Sequence, residues 1–299
     1  FYKYKPDIVH LITIKAYLYG GIAARLTNIP CVLSAIAGLG FLFNQKYFLN
    51  KIIIKLLYPF FSYALNHPNQ KIIVQNKDDK KKIINWLGLN ENKVVLFRGS
   101  GVNLSKFINL DYSSDIITVC FASRLLYDKG VMDYVSAAKL IYNRGFKVKF
   151  LLAGDLDPGN PTSLKESDLL KIKKDKIIQL LGYQRDIPSL FARSHIICLP
   201  SYGEGLPKTL VEAAAASRAI ITTNSPGCRD AIIPNKTGLI VPEKNPEKLA
   251  DALQWLIENP KKIIAMGKEG RKLAEKEYPI EKIIQKHLSI YKYLIDSSS

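Results

Sequence analysis

Ile196-Ile197-Cys198-Leu199-Pro200-Ser201-Tyr202-Gly203-Glu204-Gly205-Leu206-Pro207-Lys208-Thr209-Leu210-Val211-Glu212 carries a strand, a turn and a helix start in one stretch. The first four residues are apolar without alternation. That marks a strand covered on both faces, and hence a parallel sheet. Gly203 and Gly205 make the turn flexible. A helix begins near Pro207, because proline is favoured at the first helical position. The exposed amide donors of such a start form an anion site. Glu204 lies in the turn and Glu212 more than one turn inside the helix, so the two carboxylates can reach opposite ends of one ligand. Glu212 can accept from ribose hydroxyls and Glu204 from a sugar hydroxyl. The plainer reading is a loop Glu and a helix-surface Glu. The apolar run at 210–216 weighs against it, because an unpaired buried carboxylate is costly.

The same strand–helix alternation extends outward from this stretch. Apolar, β-rich runs occur at residues 7–12, 71–74, 94–97, 116–122, 148–153, 177–181, 196–199, 219–223 and 239–241. Amphipathic helical patterns lie between many of them, for example at 131–142 and 246–257. The second half holds six such strands, a full doubly wound unit. The first half shows three or four. With 299 residues, 47% of them hydrophobic, the chain can build two cores. The expected fold is α/β, with two doubly wound Rossmann-like domains facing a cleft. A polar stretch at 110–114 sets the boundary between a first domain at 1–110 and a second at 111–279. The last helix, near 280–295, is expected to pack away from the second domain.

Charge is spread unevenly. Residues 1–110 hold 15 Lys/Arg against 4 Asp/Glu, and the whole chain carries +17. Such an excess implies an anionic partner for the first half: nucleic acid, anionic lipid or a phosphate-bearing substrate. No reading motif or aromatic–basic platform accompanies it, which disfavours nucleic acid. No uncharged apolar run reaches the roughly 18 residues that a spanning helix needs. The nearest stretch, residues 47–65, is mostly apolar and carries Lys51 and Lys55 as its charged residues. It reads either as a helix lying in a membrane interface or as a core helix with a wet lysine edge. Cys31, Cys120, Cys198 and Cys228 are far apart and read as reduced thiols rather than metal ligands.

Three further strand ends carry chemistry. Arg124 follows one strand and Lys129 precedes the next helix. The pair can hold a diphosphate, Arg bidentately and Lys as a point charge, or can be two surface cations. Asp155 and Asp157 can bind a divalent metal, but a turn in this Gly/Pro-rich loop is the preferred reading. Gly182 allows a flat ring to approach the backbone, and Tyr183 can flank a base.

With these features in order, the chain resembles glycosyltransferase family 4, retaining enzymes of the GT-B fold. The resemblance rests on Glu204-x7-Glu212, Ser123-Arg124-Leu125 with Lys129-Gly130, Ser225-Pro226-Gly227-Cys228-Arg229-Asp230, Arg98-Gly99-Ser100-Gly101-Val102-Asn103 and Lys5-Pro6-Asp7-Ile8-Val9-His10. It is similar to members that build capsules, O-antigens or lipid-linked oligosaccharides, including undecaprenyl-diphosphate N-acetylgalactosaminyltransferases. The resemblance implies a UDP-sugar donor, no cofactor and no metal. The implied acceptor is a lipid-linked saccharide, at the inner face of the cytoplasmic membrane. In this scheme Arg124 and Lys129 hold the diphosphate and stabilise the leaving group. Glu212 binds the ribose, while Gly182 and Tyr183 lie beside the base. Glu204, on the turn with Gly203, holds the transferred sugar together with amides near Gly205 and Leu206. The loop matching residues 34–40 lacks the His that many relatives carry, and His10 is expected to be structural. The chain is also expected to lack the first strand and Gly-rich loop of the family. That leaves a truncated, inactive remnant as the alternative.

Overall fold

The computed structural model describes residues 1–39, 48–107 and 116–298. The expected boundary at 110–114, and the beginnings and ends of segments that fall on 40–47, lie outside the described residues. The chain forms two compact units. One comprises Phe1–Ser100, Glu204–Leu206 and Ile280–Ser299, the other Gly101–Gly203 and Pro207–Pro279.

In the first unit β1 (Ile8–Ile12), β2 (Cys31–Ile36), β3 (Gln70–Val74) and β4 (Val94–Leu96) form a parallel sheet in sequence order. Between the strands run α1 (Gly21–Leu26), α2 (Phe48–Leu65) and α3 (Lys77–Leu87). In the second unit β5 (Thr118–Ala122), β6 (Lys149–Ala153), β7 (Ile178–Gly182), β8 (Ile196–Leu199), β9 (Ala219–Thr223) and β10 (Gly238–Val241) form a parallel sheet in the order β10-β9-β8-β5-β6-β7. Its helices are α4 (Val131–Asn143), α5 (Glu166–Asp175), α6 (Ile187–Ala192), α7 (Lys208–Ala215), α8 (Pro246–Glu258) and α9 (Pro260–Glu277). The final helix, α10 (Ile280–Asp296), belongs to the first unit.

The first sheet is covered on both faces. On β2, Val32 and Ile36 join the core under α1, α2 and α3 with Ile72, Val74, Phe61 and Ile83. Cys31 and Leu33 join the opposite core with Ile73, Ile283 and Leu294, under α10. The two sets alternate along the strand, as the pleat requires. On β1, His10 Nδ1 shares a 2.7 Å hydrogen bond with Tyr291 Oη and so helps seat α10. Burial, then the neighbouring His287, lowers its pKa, as suits a packed histidine.

Strand β2 was not among the expected runs, which took Ser34 onward as loop. Ser34, Ala35 and Gly38 make the stretch look like a turn. Ser34 is nevertheless fully buried, and its hydroxyl accepts from Gln70 Nε2 at 3.0 Å on the neighbouring strand. One cross-strand hydrogen bond offsets the cost of burying the polar group. The expected second-half strands all form, as do the helices near 131 and 246. Asn245 caps α8 by accepting from the Lys248 amide at 2.9 Å, with Pro246 next in line.

Candidate active site

All six strands of the second sheet run parallel, so their carboxyl ends share one edge. The chain moves outward from β5 to β6 and β7, then returns to place β8 on the other flank of β5. Strand order therefore reverses between β5 and β8. In open parallel sheets, the crevice outside the carboxyl ends at such a reversal is where ligands sit.

Backbone and hydroxyl bonds tie the loops after β5 and β8 together. The Tyr202 amide and the Ser201 hydroxyl both donate to the Asp128 carbonyl, at 2.9 and 3.1 Å. Thr209, in the first turn of α7, donates from Oγ1 to the last carbonyl of β5, Ala122, at 2.8 Å. Gly130 sits at φ +71°, where a Cβ would collide with the Pro200 carbonyl. We expect Gly130→Ala to cost about 1–3 kcal/mol, from left-handed backbone plus displaced β8 loop. At this unit's size that lowers the melting midpoint by several degrees. An unchanged midpoint by calorimetry would show that the two loops are not locked at this point.

The site residues divide by element. Arg124 follows β5, and Lys129 closes a single helical turn, Tyr127–Lys129, before Gly130. Gly203 follows β8, and Glu212 lies on α7. These four stand on the elements that meet at the reversal. Gly182 ends β7, which β6 separates from β5, and Tyr183 is 67% exposed beyond it. Two strand spacings, about 10 Å, therefore lie between the cationic loop and the Gly182–Tyr183 corner. Glu204, Gly205 and Leu206 group with the first unit. There Asn76 Nδ2 donates to the carbonyls of Glu204 and Gly205, at 3.1 and 2.9 Å. The Leu206 amide already donates to Gln75 Oε1 at 3.1 Å, so a sugar hydroxyl could use that amide only by displacing Gln75. The sequence places Pro207 at the first helical position of α7; it instead stands at the N-cap, because the helix starts one residue later.

Glu212 is largely covered, and Lys208 Nζ lies 3.5 Å from its Oε1. Burial raises the Glu212 carboxyl above its usual range, and Lys208 partly offsets the shift. Arg124 Nη1 is held 2.8 Å from Asp157 Oδ2 in an exposed pair. The rest of the Asp155–Asp157 loop is a turn. The Asp157 carbonyl accepts from the Asn160 amide, and the Asp157 amide donates to Ser163 Oγ at 3.0 Å. Among the described residues, no group of three His, Cys, Asp or Glu could hold a metal ion. All four cysteines are buried and none is joined in a disulfide, and burial pushes the Cys120 thiol up to about 12.

Sequence reasoning left Tyr202 without a role. Its hydroxyl donates to Asp133 Oδ2 at 2.9 Å, and Lys244 Nζ stands 5.0 Å from its ring centroid. Partial burial raises the pKa of both the Asp133 carboxyl and the Tyr202 hydroxyl. The only signal in the sequence was an aromatic residue inside the Gly-rich turn.

Two parallel α/β units of this kind form the GT-B architecture of glycosyltransferases. A family model described as glycosyl transferases group 1 matches residues 105–273, and one described as glycosyl transferase 4-like matches residues 1–76. The chain belongs to the glycosyl transferases group 1 family and is a glycosyltransferase. It is 28% identical to the capsular polysaccharide biosynthesis glycosyltransferase CapM of Staphylococcus aureus, over 100% of this chain and 80% of that protein. It is 27% identical to the N,N'-diacetylbacillosaminyl-diphospho-undecaprenol alpha-1,3-N-acetylgalactosaminyltransferase of Campylobacter jejuni, over 97% and 77%. The Anabaena protein HepE, solved in complex with UDP, shares the fold at a TM-score of 0.78 and 17% identity, covering 98% of this chain and 79% of that one.

Proposed function

We propose that the chain moves an N-acetylhexosamine or hexose from a UDP-sugar to a polyprenyl-diphosphate-linked saccharide, with retention of anomeric configuration. The reaction serves surface-polysaccharide or glycan assembly at the cytoplasmic face of the membrane. The observation that carries this reading is the placement of Arg124, Lys129 and the part-buried Glu212 on the elements that flank the β5–β8 reversal. The names of the relatives support the acceptor class, since one acts on a diphospho-undecaprenol-linked sugar and another serves capsule synthesis.

In this reading the donor lies along the strand ends. Its base stands by Gly182 and Tyr183. Its ribose hydroxyls donate to Glu212, taking over the place of Lys208. Arg124 exchanges Asp157 for the diphosphate, which it can grip with two parallel hydrogen bonds, and Lys129 adds a point charge. The bond from the anomeric carbon to the phosphate oxygen breaks and the bond to the acceptor oxygen forms on the same face. The acceptor proton passes to the departing diphosphate oxygen. Charge grows on that diphosphate, so the fixed cations supply the main stabilisation and can do so without a divalent ion. No carboxylate nucleophile pair is required, in contrast to a retaining glycosidase. Glu204 orients the transferred sugar, with the Gly205 amide beside it and the Leu206 amide in exchange for Gln75.

A panel of UDP-, GDP- and ADP-sugars tests the donor. A ligand at about 100 times its Kd stabilises by about 2.7 kcal/mol, so a UDP species is expected to raise the melting midpoint measurably. The reading fails if no nucleotide does so, or if the product formed has inverted configuration by NMR.

A further inference from the structure

The outer side of α2 is apolar where a surface helix is ordinarily polar. Ile54, Phe61, Ala64 and Leu65 face inward and are buried. Ile52, Leu56, Phe60 and Tyr63 point the other way, with Leu56 67% and Phe60 55% exposed. Their spacing of i, i+4, i+8 and i+11 places them within about a quarter turn of one another. They form one continuous outward stripe. Helix α2 contains no Asp or Glu, and Lys55 lies exposed beside the stripe. At the far end, the Arg25 guanidinium stands 4.3 Å from the Tyr63 ring centroid. It is fixed there by bonds to the carbonyls of Tyr63 and Asn66, each 3.1 Å. No helix among the described residues is long and apolar enough to cross a membrane.

From this geometry we infer that the Ile52–Leu56–Phe60–Tyr63 stripe, with Lys55 and Arg25 at its rim, docks on a bilayer surface bearing anionic headgroups. The apolar side chains enter the acyl boundary and the two cations meet the headgroups. Charge decides between a lipid surface and a second copy of the chain. Residues 1–110 carry 15 Lys/Arg against 4 Asp/Glu. An isologous dimer through this stripe would bring two such surfaces together, whereas an anionic membrane neutralises one. Apolar burial plus attraction to anionic lipid is the combination that holds interfacial helices. The inference gives the proposed membrane-face reaction its contact surface, and to that extent rests on that reading.

The test is flotation of the full chain with extruded vesicles, either pure phosphatidylcholine or phosphatidylcholine with about one third phosphatidylglycerol. Wild-type protein is expected to partition at least tenfold more strongly into the anionic vesicles, and less so as salt screens the cations. Leu56→Glu combined with Phe60→Glu should remove at least nine-tenths of that binding, with the melting midpoint and the UDP-induced shift retained. Should the double variant fail to fold, Lys55→Glu alone should still lower anionic partitioning severalfold. Equal binding to both vesicle types, a double variant that floats like wild type, or a dimer that the substitutions dissociate with no vesicle binding would each overturn the inference. A chain that floats on anionic vesicles as expected but shows no UDP shift supports this surface and sinks the donor reading instead.

Discussion

Lys129→Ala is expected to cut turnover by about two to three orders of magnitude, the usual effect of removing one fixed group that stabilises developing charge. Lys129 ends a one-turn helix and is followed at once by Gly130, whose left-handed backbone lets the Pro200 carbonyl approach. The residue before it, Asp128, accepts from Ser201 and Tyr202 through its carbonyl. Its main chain is therefore fixed from two sides. Those backbone bonds remain when the side chain is truncated, so the variant should melt close to wild type. The loss should fall mainly on kcat, because charge on the diphosphate grows as the glycosidic bond breaks. Turnover within a few-fold of wild type, with saturating donor, would remove Lys129 from the reaction. Arg124 is a different case. Its guanidinium is exposed although its partner Asp157 is half-buried, and ion pairs open to water are worth at most about 1 kcal/mol, so the proposed exchange of carboxylate for diphosphate costs little.

Glu212→Gln is expected to separate binding from stability. A charged acceptor facing donor hydroxyls contributes about 1.5–3 kcal/mol, so the amide should weaken UDP-sugar binding about 10- to 100-fold. Stability should move the other way. Burial holds the Glu212 carboxyl above its usual range, with Lys208 pulling it back. A carboxyl raised on folding favours the folded state while protonated, and that contribution is lost as pH rises through its folded value. At neutral pH the ionised group therefore carries a net burial cost that glutamine lacks. The variant should melt at the same temperature or higher at pH 7, and the gap should close as pH falls through the raised carboxyl value. Titration calorimetry with UDP and melting curves across pH check the two halves. A variant that binds UDP normally, or one whose melting deficit grows with pH, contradicts the assigned place of Glu212.

Much of this arrangement was legible in the sequence because parallel strands buried on both faces leave uninterrupted apolar runs. β5, β8 and β9 are such runs, and each is followed by the glycine or proline that turns the chain toward a helix. What stayed hidden was long-range pairing. Ser34 breaks the apolar run of β2, yet it pairs with β1 and β3 on either side, and its buried hydroxyl is satisfied by Gln70 on the neighbouring strand. Asp157 was read as a turn former, which it is, but its grip on Arg124 spans 33 positions. Tyr202 and Asp133 meet across 69 positions. The Gln75 and Asn76 contacts to the 204–206 segment join residues still further apart, so no local pattern announces them.

The gap of one strand between the cationic loop and the Gly182–Tyr183 corner has a practical meaning for redesign. The loops after β5 and β8 are braced to one another through Asp128, Ala122 and Pro200, whereas Tyr183 is exposed beyond the sheet edge. In the proposed placement of the donor, nucleobase preference and bond-breaking power are thus housed in separate modules of one scaffold. Libraries varied around Tyr183 are then expected to retune which nucleotide is accepted and to leave turnover of the accepted donor unchanged.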